Sequence, residues 1–158
     1  MNKSDEKYLQ RAIDLAANHS SDGRHGPFGA LIVKNGEILA ERWNSVVDST
    51  DPTAHAEVEA IRAAAKKLKT YDLSGCTMYA SCEPCPMCLA AIYWAGINRV
   101  IYAATTEDAA AIGFDDSLIY KEMSKSWPER SLTSVQALRE NAKSMMQAWV
   151  ENPKKIKY

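Results

Sequence analysis

Thr77-Met78-Tyr79-Ala80-Ser81-Cys82-Glu83-Pro84-Cys85-Pro86-Met87-Cys88 is the stretch that decides the fold. Thr77 to Ala80 is apolar or β-branched and reads as a buried strand. Pro84 fits the first turn of a helix, where its missing N–H costs nothing. That helix is expected to continue through Tyr93 and stop near Gly96. Arg99 to Ala103 reads as the next strand, so strand, helix and strand form a parallel crossover. Cys85 and Cys88 lie three apart on the helix, which puts both thiols on one face. About thirty residues upstream stands His55-Ala56-Glu57, at the start of another expected helix, Ala54 to Leu68.

One His and two Cys can hold a Zn²⁺ through three bonds and leave a fourth position for water. Structural zinc sites are usually closed by four protein ligands, whereas catalytic ones keep a vacancy. Glu57 is poorly placed to ligate beside His55, but it can reach the water and move its proton. Two helix N-termini converging on one point add a positive field, which favours thiolate over thiol. Three other readings stand beside this one. Cys82 could join His55, Cys85 and Cys88 in a closed structural site. Cys82 and Cys85 could be a redox pair, although no thioredoxin-like context surrounds them. His55 could be a packed core histidine with unrelated cysteines. Cys76, at a strand start, is expected to be a small buried apolar residue.

Outward from these segments, Ser4 is a candidate N-cap, with Asp5 and Glu6 in a first turn that favours acids. Leu9, Ala12, Ile13 and Ala16 recur at helical spacing, so the first helix should reach about His19. Ser21 to Gly26 is a polar loop. Pro27 to Val33 and Glu37 to Ala40 flank Asn35-Gly36, a strong hairpin signal because both residues tolerate positive φ. Beyond Thr105 short helices are expected over Glu107 to Ala111 and Ser117 to Met123. A last strand is expected over Ser131 to Leu138, and a helix over Asn141 to Val150 with Met145, Met146 and Trp149 on its apolar face.

The chain of 158 residues is expected to form one domain around a real core. Its net charge of −1 and scattered basic residues give no phosphate-binding face, so nucleic acid is not an expected partner. Lys154, Lys155 and Lys157 read as a solvated end. No apolar run approaches the roughly 20 residues that span a membrane, and the first residues do not read as a targeting segment. A cytoplasmic chain is expected, in which clustered cysteines serve metal or redox chemistry.

His-Ala-Glu with Pro-Cys-x-x-Cys resembles the signature of the zinc-dependent cytidine deaminase superfamily, a pattern associated with nucleobase deamination. The likeness implies a three-layer α/β/α sandwich with a mixed five-stranded sheet. It also implies one Zn²⁺ per chain on His55, Cys85 and Cys88, and Glu57 as general acid and base. A finer resemblance is to bacterial guanine deaminases. It rests on Gly26-Pro27-Phe28-Gly29-Ala30, Asn44, Asp51 to Glu57, Ser81 to Cys88, Ile92-Tyr93-Trp94, Gly113-Phe114-Asp115-Asp116-Ser117, Gln147-Ala148-Trp149 and the terminal Tyr158. By that likeness the reaction is guanine plus water giving xanthine plus ammonia. Phe28 and Trp94 would flank the purine, Asn44 would bond its polar edge, Asp116 would meet its amino group as a second catalytic carboxylate, and Tyr158 would close the pocket. Each has a plainer reading: core packing for Phe28 and Trp94, a turn residue for Asn44, a helix cap for Asp115 or Asp116, a frayed end for Tyr158. The resemblance further implies a homodimer, and a C-terminal tail (about 141–158) that closes the site and could be exchanged between protomers. The rivals are deamination of guanosine, cytosine or cytidine, a tRNA adenosine deaminase, and a non-catalytic zinc protein.

Overall fold

The structure is a computed structural model that describes residues 1–157; Tyr158 lies outside the described residues. The chain forms two compact units, Met1–Ser117 and Leu118–Tyr158.

The first unit is built on four strands, β1 (Gly29–Lys34), β2 (Glu37–Trp43), β3 (Thr77–Cys82) and β4 (Arg99–Ala104), in the order β2-β1-β3-β4. β1 pairs antiparallel with β2 and β3, and β3 pairs parallel with β4. The sheet is therefore mixed, with β1 alone opposing the other three. The expected fifth strand is absent among the described residues: Ser131 to Leu138 is irregular. Alternating side chains do not make a strand unless an edge accepts its ladder of hydrogen bonds. The Asn35-Gly36 turn is as expected, with φ of 51° and 82°, the two positive values a type I′ hairpin needs.

Helix α1 (Lys3–Ser20) covers one face of the sheet. Its cap is Asn2 rather than Ser4: the Asn2 side chain accepts from the Asp5 amide, and Asp5 accepts from the Asn2 amide. Ala12 and Leu15 pack on Leu31, Val33 and Tyr79. Gly29 permits this approach, because a Cβ there would run into the Ala12 carbonyl and the Ala16 amide. The buried Asp5 carboxylate pins α1 to β3 and β4. It accepts from Tyr79 Oη at 2.7 Å and from the Arg99 guanidinium at 2.8 and 3.0 Å.

After the short helix α2 (Val46–Ser49), α3 (Ala56–Leu68) and α4 (Pro86–Trp94) cover the other face. Ala56, Ala60 and Ala64 recur at helical spacing and are fully buried against Ala30, Ile32, Ala40 and Met78. Small side chains let α3 sit close to the sheet. The helix Pro is Pro86, with Cys85 as the N-cap, so Pro84 stands before the helix and not in its first turn. α4 ends at Trp94, and Gly96 takes a positive φ of 71°. Cys76 is buried and free, as expected. Helix α5 (Thr106–Ala111) follows β4. Two helical layers thus enclose one sheet.

The second unit holds α6 (Ser117–Met123), a 3₁₀ turn (Trp127–Glu129) and α7 (Arg139–Glu151). Glu122 ties its middle together by accepting from Lys125 and from the Ser131 amide, and Arg130 stacks over Trp127. Met145, Met146, Trp149 and Val150 of α7 are exposed. No helix is long and apolar enough to cross a membrane among the described residues.

Candidate active site

The ends of two crossovers build the site. β3 carries the chain to Cys82, and α4 starts three residues later with Cys85 as N-cap and Cys88 in its first turn. His55 is the N-cap of α3, and Glu57 lies in that helix's first turn. Both helix N-termini thus face one point, as the sequence implied.

His55 Nδ1 lies 3.6 Å from Cys85 Sγ and 3.5 Å from Cys88 Sγ. The three donor atoms all fall within 4.8 Å of one another. An ion held tetrahedrally at ~2.3 Å from sulfur and ~2.0–2.1 Å from nitrogen needs nitrogen–sulfur separations of about 3.5–3.6 Å. Both nitrogen–sulfur separations therefore fit zinc. Cys82 is not part of this group. Its thiol instead donates to the Thr105 carbonyl at 3.4 Å. Burial, and then the Glu57 carboxylate, push that thiol up to about 11. This geometry disfavours the closed four-ligand site.

The electrostatics match a cation's place. A hydrogen bond from Cys88, reinforced by His55, brings the Cys85 thiol down to about 4 despite its burial. Its thiolate neighbour and burial drive the Cys88 thiol strongly up. A bound metal ion would hold both sulfurs as thiolates and displace their protons. The hydrogen bond with Cys85 raises the His55 imidazole. Glu57 is 7% exposed, with Oε2 at 3.5 Å from Cys88 Sγ. Burial raises its carboxyl above the usual range. A carboxyl so placed holds a proton more readily than an exposed one, as a general acid and base requires.

Beside the triad lies a cleft of about 360 Å³. Phe28, Asn44, Val46, Pro52, His55 and Phe114 are among its walls. Phe28 and Phe114 meet edge to face at 4.9 Å. Asn44 is 6% exposed, and its side chain makes one long bond, accepting from the Val46 amide at 3.4 Å. Gly26 lies against both: a Cβ there would come within 3.1 Å of the Phe28 ring and 3.4 Å of the Asn44 side chain. Asp116 is half-buried, and its carboxyl is raised first by burial and then by the Cys85 thiolate. Asp115, by contrast, accepts from the Ser117 amide at the start of α6.

The sequence-based candidates His55, Glu57, Cys85, Cys88, Phe28 and Asn44 are thus brought together. Trp94 is not: it is 76% exposed at the end of α4, on a shallow surface with Ala90 and Tyr93. Phe114 was given no role in the sequence reading. The signal that could have found it is its place beside Asp115-Asp116, as the other of only two Phe in the chain.

Residues 2–104 match the family described as the cytidine and deoxycytidylate deaminase zinc-binding region. The guanine deaminase of Bacillus subtilis is 52% identical over 153 residues, covering 97% of this chain and 98% of that protein. Its crystal structure superposes with a TM-score of 0.94 over 100% of this chain and 99% of that one. The tRNA-specific adenosine deaminase of Haemophilus influenzae is 39% identical, over 71% of this chain and 68% of that protein. A solved guanine deaminase from Nitrosomonas europaea is 35% identical with a TM-score of 0.64, over 70% of this chain and 64% of that one. With three metal donors at zinc spacing, a buried carboxyl beside them and a match across most of its length, the chain belongs to the cytidine and deoxycytidylate deaminase zinc-binding family.

Proposed function

We infer that this protein hydrolyses guanine to xanthine and ammonia, with one zinc ion per chain on His55, Cys85 and Cys88. The observation that carries the chemistry is the three-donor site with the unligated, buried Glu57 beside it. The likeness to the Bacillus subtilis enzyme supports guanine, because it covers 97% of this chain, whereas the tRNA deaminase match covers 71%. The near-neutral charge also disfavours a tRNA substrate.

Zinc supplies a Lewis acid that makes water acidic enough to ionise near neutral pH. The protein's own residues do the rest. Phe28 lies along one face of the cleft and stacks on a planar base, and Phe114 braces its ring. Asn44, with capacity to spare, bonds the polar edge. Glu57 takes the water's proton and delivers it to ring N3, so C2 becomes electrophilic as the oxygen adds. Glu57 and Asp116, the two carboxyls raised by burial, then relay the proton of the new C2 hydroxyl to the amine, so that the C2 carbonyl forms as the C2–N bond breaks. Protonation makes ammonia the leaving group in place of an amide anion.

The protein is also proposed to be a homodimer, with Trp94 and the C-terminal tail completing the site. The exposed Tyr93 and Trp94 on α4, and separately Met145, Met146 and Trp149 on α7, support this reading. All four cysteines are free, which suits a reducing compartment such as the cytoplasm.

An ultraviolet assay with guanine, guanosine, cytosine, cytidine and tRNA, scored for ammonia, tests the assignment. Guanine is expected to be converted at least about a hundredfold faster than the others, the span a pocket of buried polar groups can enforce. Inosine in tRNA without turnover of guanine would assign the chain to the other branch.

A further inference from the structure

The cleft has two walls in the first unit. One is the loop that follows α1, contributing Gly23, Arg24, His25 and Gly26; the other is α2 and the segment after it, contributing Val46, Val47 and Pro52. One side chain ties them together. Asp48 of α2 accepts from Arg24 Nη2 at 3.0 Å on one oxygen, and its other oxygen lies 3.2 Å from His25 Nε2. The two ties are unequal. The Arg24 side chain is 66% exposed, and exposed ion pairs hold little. The His25 side chain is only 9% exposed. Its Nδ1 is buried without a hydrogen-bond partner among the described residues. The Asp48 carboxylate is therefore the polar group that faces this buried ring. Removing it would leave both nitrogens unpaired, and the loop would have to swing out to wet them. Gly23, at φ 75°, gives the loop the freedom to do so.

We propose that Asp48, acting through His25, is a positioning residue that clamps the two walls and so sets the width of the cleft. The clamped width admits a flat free base and excludes one carrying a substituent on N9. The inference rests on the reading of this cleft as the guanine site. Asp48 touches neither the metal donors nor Glu57, so its loss should act on binding and on selectivity rather than on the chemical step.

The test compares kcat and KM for guanine and for 9-methylguanine in the zinc-loaded protein and its variants. Asp48→Ala is expected to raise KM for guanine about tenfold, leave kcat within about threefold, and narrow the preference for guanine over 9-methylguanine about tenfold. Asp48→Asn keeps an oxygen for the His25 N–H and should stay within about threefold of wild type. If Asp48→Ala does not fold, His25→Leu removes the same contact from the other side and carries the same expectation. Wild-type turnover of guanine, with KM and the substrate ratio unmoved in the folded variants, overturns the clamp alone. A uniform loss toward both substrates, tracking a lower Tm, overturns it too by reducing Asp48 to a structural tie. Failure of the wild type to turn over guanine overturns the reading of the site, and the clamp with it.

Discussion

Cys82 and Glu57 are both buried near the two ligand sulfurs, yet their surroundings give them different work. The Cys82 thiol is spent on the Thr105 carbonyl and held far from ionisation, so it is a poor fourth ligand. Cys82→Ala is expected to retain one zinc per chain and most of the guanine turnover. Metal analysis that found the ion lost with this one sulfur would restore a closed, structural site. Glu57 has a carboxyl raised by burial and 3.5 Å from Cys88 Sγ, which suits the proton-carrying role proposed for it. The sequence made His55, Glu57, Cys85 and Cys88 legible because their spacing on two helix starts is local. Phe114 was not legible, since its contact with Phe28 spans residues far apart in the chain. Trp94 was assigned from resemblance alone, and within the chain it stays outside the cleft.

Among the elements, α1 has the least covalent reason to stay on the sheet and the most concentrated polar anchor. Asp5 accepts from Arg99, from Tyr79 and from the Asn2 amide, in contacts spanning up to 94 residues. The Arg99 guanidinium, ahead of the Asn2 amide and Tyr79, holds the Asp5 carboxyl far below the usual range. A carboxyl lowered by folding stabilises the native state above its unfolded pKa of about 3.9 and loses that contribution as pH falls below it. Asp5→Asn is therefore expected to destabilise the protein more at pH 7 than at pH 3.5. Urea unfolding at the two pH values measures the difference, and equal losses would dissociate Asp5 from the charge network. The strand–helix–strand units and the hairpin were legible from local signals, Asn35-Gly36 above all. The boundaries near Ser4 and Pro84 were misplaced because two neighbouring residues could cap or open each helix. Asn2 won the first by its reciprocal bond with Asp5. The fifth strand was misread because Ser131 to Leu138 has some of the side-chain alternation of a strand but is irregular, and alternation alone supplies none of the ladder hydrogen bonds a strand needs.

For the whole molecule, the two units differ in how they bury apolar surface. The first has a core on each face of its sheet. The second leaves Leu118, Met123, Leu132, Met145, Met146 and Trp149 largely exposed. Single exposed apolar residues need no explanation, but this concentration is more than a stable monomer usually shows. Sedimentation equilibrium is expected to return twice the 17.5 kDa chain mass at micromolar concentration; the mass of one chain throughout would leave Trp94 and the tail without a proposed place in the site. The whole account joins an open three-donor zinc site to a buried carboxyl that moves the proton during guanine hydrolysis. Glu57→Gln keeps the shape and removes only the proton carrier. Zinc content and the conversion of guanine to xanthine, measured on the same preparations of wild type and this variant, test that claim most directly. The account predicts one zinc in both and a kcat lowered about 10²–10⁴-fold in the variant; near wild-type turnover with the metal in place would contradict it.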